Sequence, residues 1–148
     1  SREAQEALDR VADQGAVAPG MWRLEVANAF QSALRRKRIS ADYRDQCLGE
    51  LAWLPITIDA EAETHAWTTP LRLAERFGLT IYDATYLKWA HRRALPLATL
   101  DKELWKAAVY LNACRWDEDM TGRRPRPSVV SGLGGSLCSG RRCAGPRA

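Results

Sequence analysis

Short apolar runs alternate with helical patterns along most of this chain, and that alternation restricts the fold more than any other feature. Ala16-Val17-Ala18-Pro19 is a buried-strand candidate stopped by Pro19-Gly20. Pro55-Ile56-Thr57-Ile58-Asp59 is a β-branched strand, and Leu95 to Leu100 is a third run ending at Asp101. Helical patterns fill the intervals. Arg2 to Gln14 precedes the first run. Trp22, Val26, Ala29, Phe30 and Ala33 recur at helical spacing after it, with Glu25 bordering that stripe. Ser40 caps a helix reaching about Leu54, and Ala62 to Phe77 predicts another, ended by Gly78 and kinked or split at Pro70. Thr80 opens a helix to about Arg93, Lys102-Glu103-Leu104 starts a further one, and Cys114-Arg115-Trp116 reads as a short edge strand. The order predicts a parallel α/β sandwich.

Three acidic residues sit where this pattern turns from one element to the next: Glu25, Asp83 and Asp101. Carboxylates are hard oxygen ligands, and a cluster drawn from separate strand and helix ends suits Mg²⁺ or Mn²⁺ held open to a phosphate substrate. Two of them also have a plainer reading. Thr80 and Asp83 have the offset of a capping box, and Asp101 stands where a helix N-cap belongs. Asp83 shares a face with Tyr86, Leu87 and Ala90, so it lies at the end of a stripe that points inward. A carboxylate there is costly unless a cation or hydrogen bonds meet it.

The chain has 148 residues, 46% apolar and 27% charged, which allows one domain with a single core. No apolar run approaches the ~20 residues of a membrane helix. Residues 1–116 carry 16 Lys/Arg against 15 Asp/Glu, so the body is nearly neutral and nucleic-acid binding would need local patches. Arg35 to Arg38 and His91-Arg92-Arg93 are such runs, but both close helices, where cations complement the dipole and face water. Six tryptophans and four tyrosines invite a stacking platform for bases. Trp22, Trp53, Trp89 and Trp105 have apolar neighbours, however, and core or dimer packing is the expectation for them. His65 and His91 are expected at the surface.

Residues 117–148 hold six of the ten glycines and three of the seven prolines without apolar periodicity, which predicts a disordered tail. Cys47, Cys114, Cys138 and Cys143 form no CxxC pair or regular framework. Free thiols in a reducing cytoplasm are the expectation, with Cys47 in the core.

The glutamate and asparagine of Glu25-Val26-Ala27-Asn28, the helix start Tyr82-Asp83-Ala84-Thr85-Tyr86-Leu87, and the strand end Leu95 to Asp101 resemble the PIN domains, and among them the VapC-type toxins of toxin–antitoxin systems. The resemblance runs from about Ala16 to Trp116. It implies a three-layer sandwich in which a small parallel sheet is flanked by helices and acidic residues gather at the strand C-termini. It further implies Mg²⁺- or Mn²⁺-dependent cleavage of RNA in the cytoplasm, an antitoxin partner and a homodimer. Glu25, Asp83 and Asp101 take the ligand positions. Thr99 matches the small hydroxyl residue often found before the last acid, and Asn28 is placed to support Glu25.

Members of that family begin with an internal strand ending in an aspartate, which nothing upstream of Arg2 supplies here. The full gene is therefore expected to encode roughly 15–25 further N-terminal residues, enough for a strand and a helix start. Without them the sheet lacks an internal strand. The alternative is a truncated or catalytically inactive PIN-like module that binds RNA or a protein partner without cutting. A doubly wound phosphatase or receiver domain would want an Asp-x-Asp pair or a phosphoacceptor aspartate at a strand end, and neither is visible.

Overall fold

The computed structural model describes residues 2–99, 101–111 and 128–130. Six α-helices and four short strands form an α/β fold: α1 (Arg2–Gln14), β1 (Ala16–Pro19), α2 (Trp22–Arg35), α3 (Ala41–Ala52), β2 (Ile56–Asp59), α4 (Thr69–Phe77), α5 (Ile81–Arg93), β3 (Leu97–Ala98), α6 (Lys102–Tyr110) and β4 (Ser128–Val130). The sheet is parallel throughout, in the order β2-β1-β4-β3.

β4 corrects two expectations. Residues 117–148 were expected to be disordered, yet Ser128–Val130 occupies the sheet's interior, pairing Ala16 with Ser128 and Val17 with Val129 on one side and Leu97 with Val129 and Ala98 with Val130 on the other. The sheet thus has an internal strand, from a segment the reading had set aside. The strand expected at Cys114-Arg115-Trp116, the remaining cysteines beyond Cys47 and the rest of the tail lie outside the described residues.

Helix boundaries follow local chemistry. Ser40 and Thr80 accept hydrogen bonds from the backbone N–H groups three residues on, Tyr43 and Asp83, each at 3.1 Å, which satisfies donors that an uncapped helix leaves open. The long helix expected over Ala62 to Phe77 is split. A 3-10 turn covers Ala60–Glu63, and α4 begins only at Thr69, with Pro70 in its first turn, where its missing N–H costs nothing. Gly78 ends α4 in the left-handed region at φ 64°, and the Leu79 N–H closes the turn on Ala74 O at 3.0 Å. Nothing lies within 4 Å of a Cβ built at Gly78, so backbone conformation alone selects glycine there. Gly78→Ala is expected to lower stability by about 1 kcal/mol in urea unfolding; an unchanged midpoint would contradict that account.

The core forms where α2 and α5 present their apolar stripes to the sheet and to α6. Phe30, Tyr86, Leu87 and Leu104 are fully buried, joined by Trp22, Val26, Cys47 and Trp89. A smaller cluster sets Val11 of α1 on Ala16, with Leu54 and Ile56 beside it. Trp22 and Trp89 are thus core residues, as expected, and His65 and His91 are exposed. Trp53 and Trp105 are not: they are 89% and 41% exposed. Their neighbours are apolar, but their own positions on α6 and at the end of α3 face outward. Among the described residues no helix is long and apolar enough to cross a membrane.

Candidate functional site

Glu25 lies in the first turn of α2, directly after β1, half-buried. Its Oε2 accepts a hydrogen bond from the Tyr86 hydroxyl of α5. Asp83 lies in the first turn of α5 and is also partly buried. Asp101 caps α6, its Oδ1 accepting from the Leu104 N–H at 2.8 Å. Thr99 Oγ1 accepts from the Asp101 N–H at 3.1 Å and so fixes the turn that presents this carboxylate. Asn28 is exposed, and no hydrogen bond joins it to Glu25 among the described residues.

Asp83 is the link between the carboxylates: its charge acts on Glu25, and that of Asp101 acts on it. Burial pushes the Glu25 carboxyl above its ordinary pKa; the Tyr86 hydrogen bond opposes this and the Asp83 charge adds to it. Burial likewise raises Asp83, opposed by the Thr80 hydroxyl and reinforced by Asp101. The Tyr86 phenol is pushed up by burial, by its bond to Glu25 and by the charges of Glu25, Asp83 and Glu63. Among the described residues no lysine, arginine or histidine forms an ion pair with Glu25, Asp83 or Asp101. Among the described residues this acidic group has no ion pair with a cation.

Glu63 is a fourth carboxylate at this place, and the sequence reading missed it. Its Oε1 accepts the Met21 N–H at 2.7 Å, placing an acid at the N-terminus of α2, where the helix dipole favours it. A Cβ at Gly20 would stand 2.9 Å from that oxygen, so glycine is what lets Glu63 reach the helix. The partners are 42 residues apart in the chain, so no local pattern announces the contact.

Both basic runs lie elsewhere. Arg35 and Arg93 end the helices that Glu25 and Asp83 begin, about ten residues or ~15 Å away along each axis. Arg93 is committed besides, to Asp59 at 3.0 Å and over the Trp89 ring at 5.7 Å. A cavity of about 280 Å³ between α2, α3 and β2 includes none of the carboxylates; apart from Arg23 its lining is apolar.

Glu25 and Asp83 are half-buried and Asp101 is exposed; neighbouring carboxylates are hard oxygen donors of the kind that suits a divalent cation. Two facts weigh against a preformed cage. Among the described residues no group of three or more His, Cys, Asp or Glu side chains is arranged to hold a metal ion, and one Asp101 oxygen is already engaged by its helix. No family model, curated protein or solved structure matches the chain.

Electrostatic crowding has a measurable consequence. A carboxyl whose folded pKa is raised releases its proton in the unfolded chain first, so its contribution to stability falls as pH climbs from the ordinary carboxylate range, about 4, to the folded value. Asp83→Asn removes that loss. The variant's thermal midpoint in metal-free buffer is expected to gain on wild type as pH rises through this window. A difference that stays constant with pH would show that burial and the nearby Asp101 charge do not raise the Asp83 carboxyl.

Proposed function

We propose that this chain is a metal-dependent endoribonuclease with a PIN-like arrangement, the toxin component of a toxin–antitoxin pair. The observation that carries the reading is the pair of half-buried acids Glu25 and Asp83 at the starts of two helices, Asp83 acting on Glu25 and Asp101 on Asp83, with no ion pair to a cation among the described residues. The resemblance at the same three positions supports it.

In this reading Asp83 is the main ligand of a Mg²⁺ or Mn²⁺ ion, Asp101 a ligand or the group that positions water, and Glu25 a ligand. Such an ion supplies an acidified water and offsets the charge that develops on a cleaved phosphodiester. The protein's own groups prepare that place. Tyr86 holds Glu25 by one oxygen, leaving Oε1 with no hydrogen bond among the described residues. Thr99 and the α6 N-terminus orient Asp101. A protein antitoxin covering the acidic group and a second copy of the chain are the partners this function implies.

A second reading has an observation of its own. Asp101 caps a helix and Asp83 stands at the third position of one, roles that persist in a PIN-like module which binds RNA or a protein without cutting. Cleavage of RNA by the purified chain with Mn²⁺, Mg²⁺ or EDTA, beside Asp83→Asn, separates the two. Metal-dependent cutting that the variant loses supports the nuclease, and a folded wild-type chain that cuts nothing supports the binding module.

A further inference from the structure

Helix α6 starts at the acidic group, because Asp101 is its N-cap. Leu104, Ala107 and Ala108 bury its inner face. Helical spacing then turns Lys102, Trp105, Lys106 and Tyr110 outward together, and all four are exposed. Trp105 and Tyr110 expose 41% and 65% of their surface. At the far end, Arg76 of α4 lies 4.9 Å from the centre of the Tyr110 ring and 5.1 Å from that of Phe77. Its Nη2 donates to the Tyr110 hydroxyl at 3.1 Å. Among the described residues no carboxylate pairs with Arg76, and the acid on this face, Glu103, is tied to Lys106 at 2.8 Å.

We propose that this outer face of α6, extended by Arg76, carries a single-stranded RNA to the acidic group. Bases stack on Trp105 and Tyr110, while Lys102 and Arg76 meet phosphates. Aromatic rings alternating with cations are what a sequence-tolerant single-strand surface requires, since every base has a stacking face and every linkage a charge. The distance from Asp101 to Tyr110 along the helix is about 13 Å, enough to hold more than the nucleotide being cut. An acidic group repels phosphates, so a substrate strand needs cations beside it, and the two basic runs lie a helix length away. A protein-docking face fits less well, because lysine is depleted from the centre of such interfaces.

The proposal rests on the nuclease reading, and two assays on the full-length chain keep them apart. The first is anisotropy of a short labelled oligouridylate in EDTA, at low and moderate salt. The second is cleavage with Mn²⁺. Trp105→Ala and Tyr110→Ala are expected to weaken binding about 5- to 100-fold each, with Tyr110→Phe close to wild type. Lys102→Gln should reduce the salt slope by about one. The four variants change three sites, all exposed, and circular dichroism confirms folding. Wild type that cuts RNA while these variants bind normally overturns the face and leaves the nuclease standing. Binding lost in the variants of a chain that never cuts overturns the nuclease and supports the face. No oligouridylate binding by wild type even at low salt also overturns the face. So does a change in oligomeric mass for Trp105→Ala with RNA affinity intact, which would make the surface a protein interface.

Discussion

A chain ending at Leu111 is expected to lose cooperative unfolding. β4 is the only described strand that touches both β1 and β3, so its removal separates β3 from the rest of the sheet and leaves one side of β1 without a partner. Ala16, Leu97 and Ala98, which pair with β4, are 2%, 4% and 4% exposed. Each buried backbone group left unpaired costs about 1–3 kcal/mol. Several together consume most of the ~5–15 kcal/mol by which a domain is normally stable. Urea unfolding followed by circular dichroism should show a shallow, early transition for the short chain and a sigmoidal one for the full chain. Val129→Pro in the full chain makes the same point locally, since proline removes a ladder donor from a strand with neighbours on both sides. Should the short chain unfold at the full chain's midpoint, β4 contributes nothing and the sheet order must be wrong.

Asp83→Asn is expected to keep the fold and, under the proposed nuclease function, to remove catalysis. The α5 cap uses the backbone N–H of Asp83, which asparagine retains, and the change relieves repulsion with Asp101 and Glu25. Stability should therefore hold or rise slightly. In the proposed nuclease, where Asp83 is a metal ligand, its loss should lower Mn²⁺-dependent cleavage by about 100-fold or more. Glu25→Gln should behave similarly if the carboxylates act as one group. Cleavage within a few-fold of wild type in Asp83→Asn would place the chemistry elsewhere, and Glu63 would be the next carboxylate to replace.

Most helix boundaries could be read from the sequence because their causes are local. Ser40, Thr80, Pro70 and Gly78 each act on backbone within a few residues. The inward face of α5 was equally readable, since Tyr86, Leu87 and Ala90 follow helical spacing and are buried. What escaped was non-local. Ser128–Val130 is too short for a periodicity to show, and its partners lie far away in the chain. Tyr86 meets Glu25 across 61 residues, and Glu63 meets Met21 across 42. Apolar neighbours suggested core or dimer packing for Trp53 and Trp105, and the structure places neither in the core, because neighbours do not set the phase of a residue on its helix. Of the site, the positions of Glu25, Asp83 and Asp101 at element starts were readable, and the link through Asp83 was not.

The parallel insertion of Ser128–Val130 between β1 and β3 also dictates when in its life this molecule can mature. A ribosome delivers residues in order, at roughly 5–20 per second. Everything from Arg2 to Leu111 is therefore exposed before the strand that unites it exists. During that interval β1 and β2 can pair, while β3 waits. Contacts closing so long a loop form slowly. Nascent chains should accordingly stay protease-sensitive until Ser128–Val130 has emerged, and a product cut short before it would not be a smaller version of the same protein.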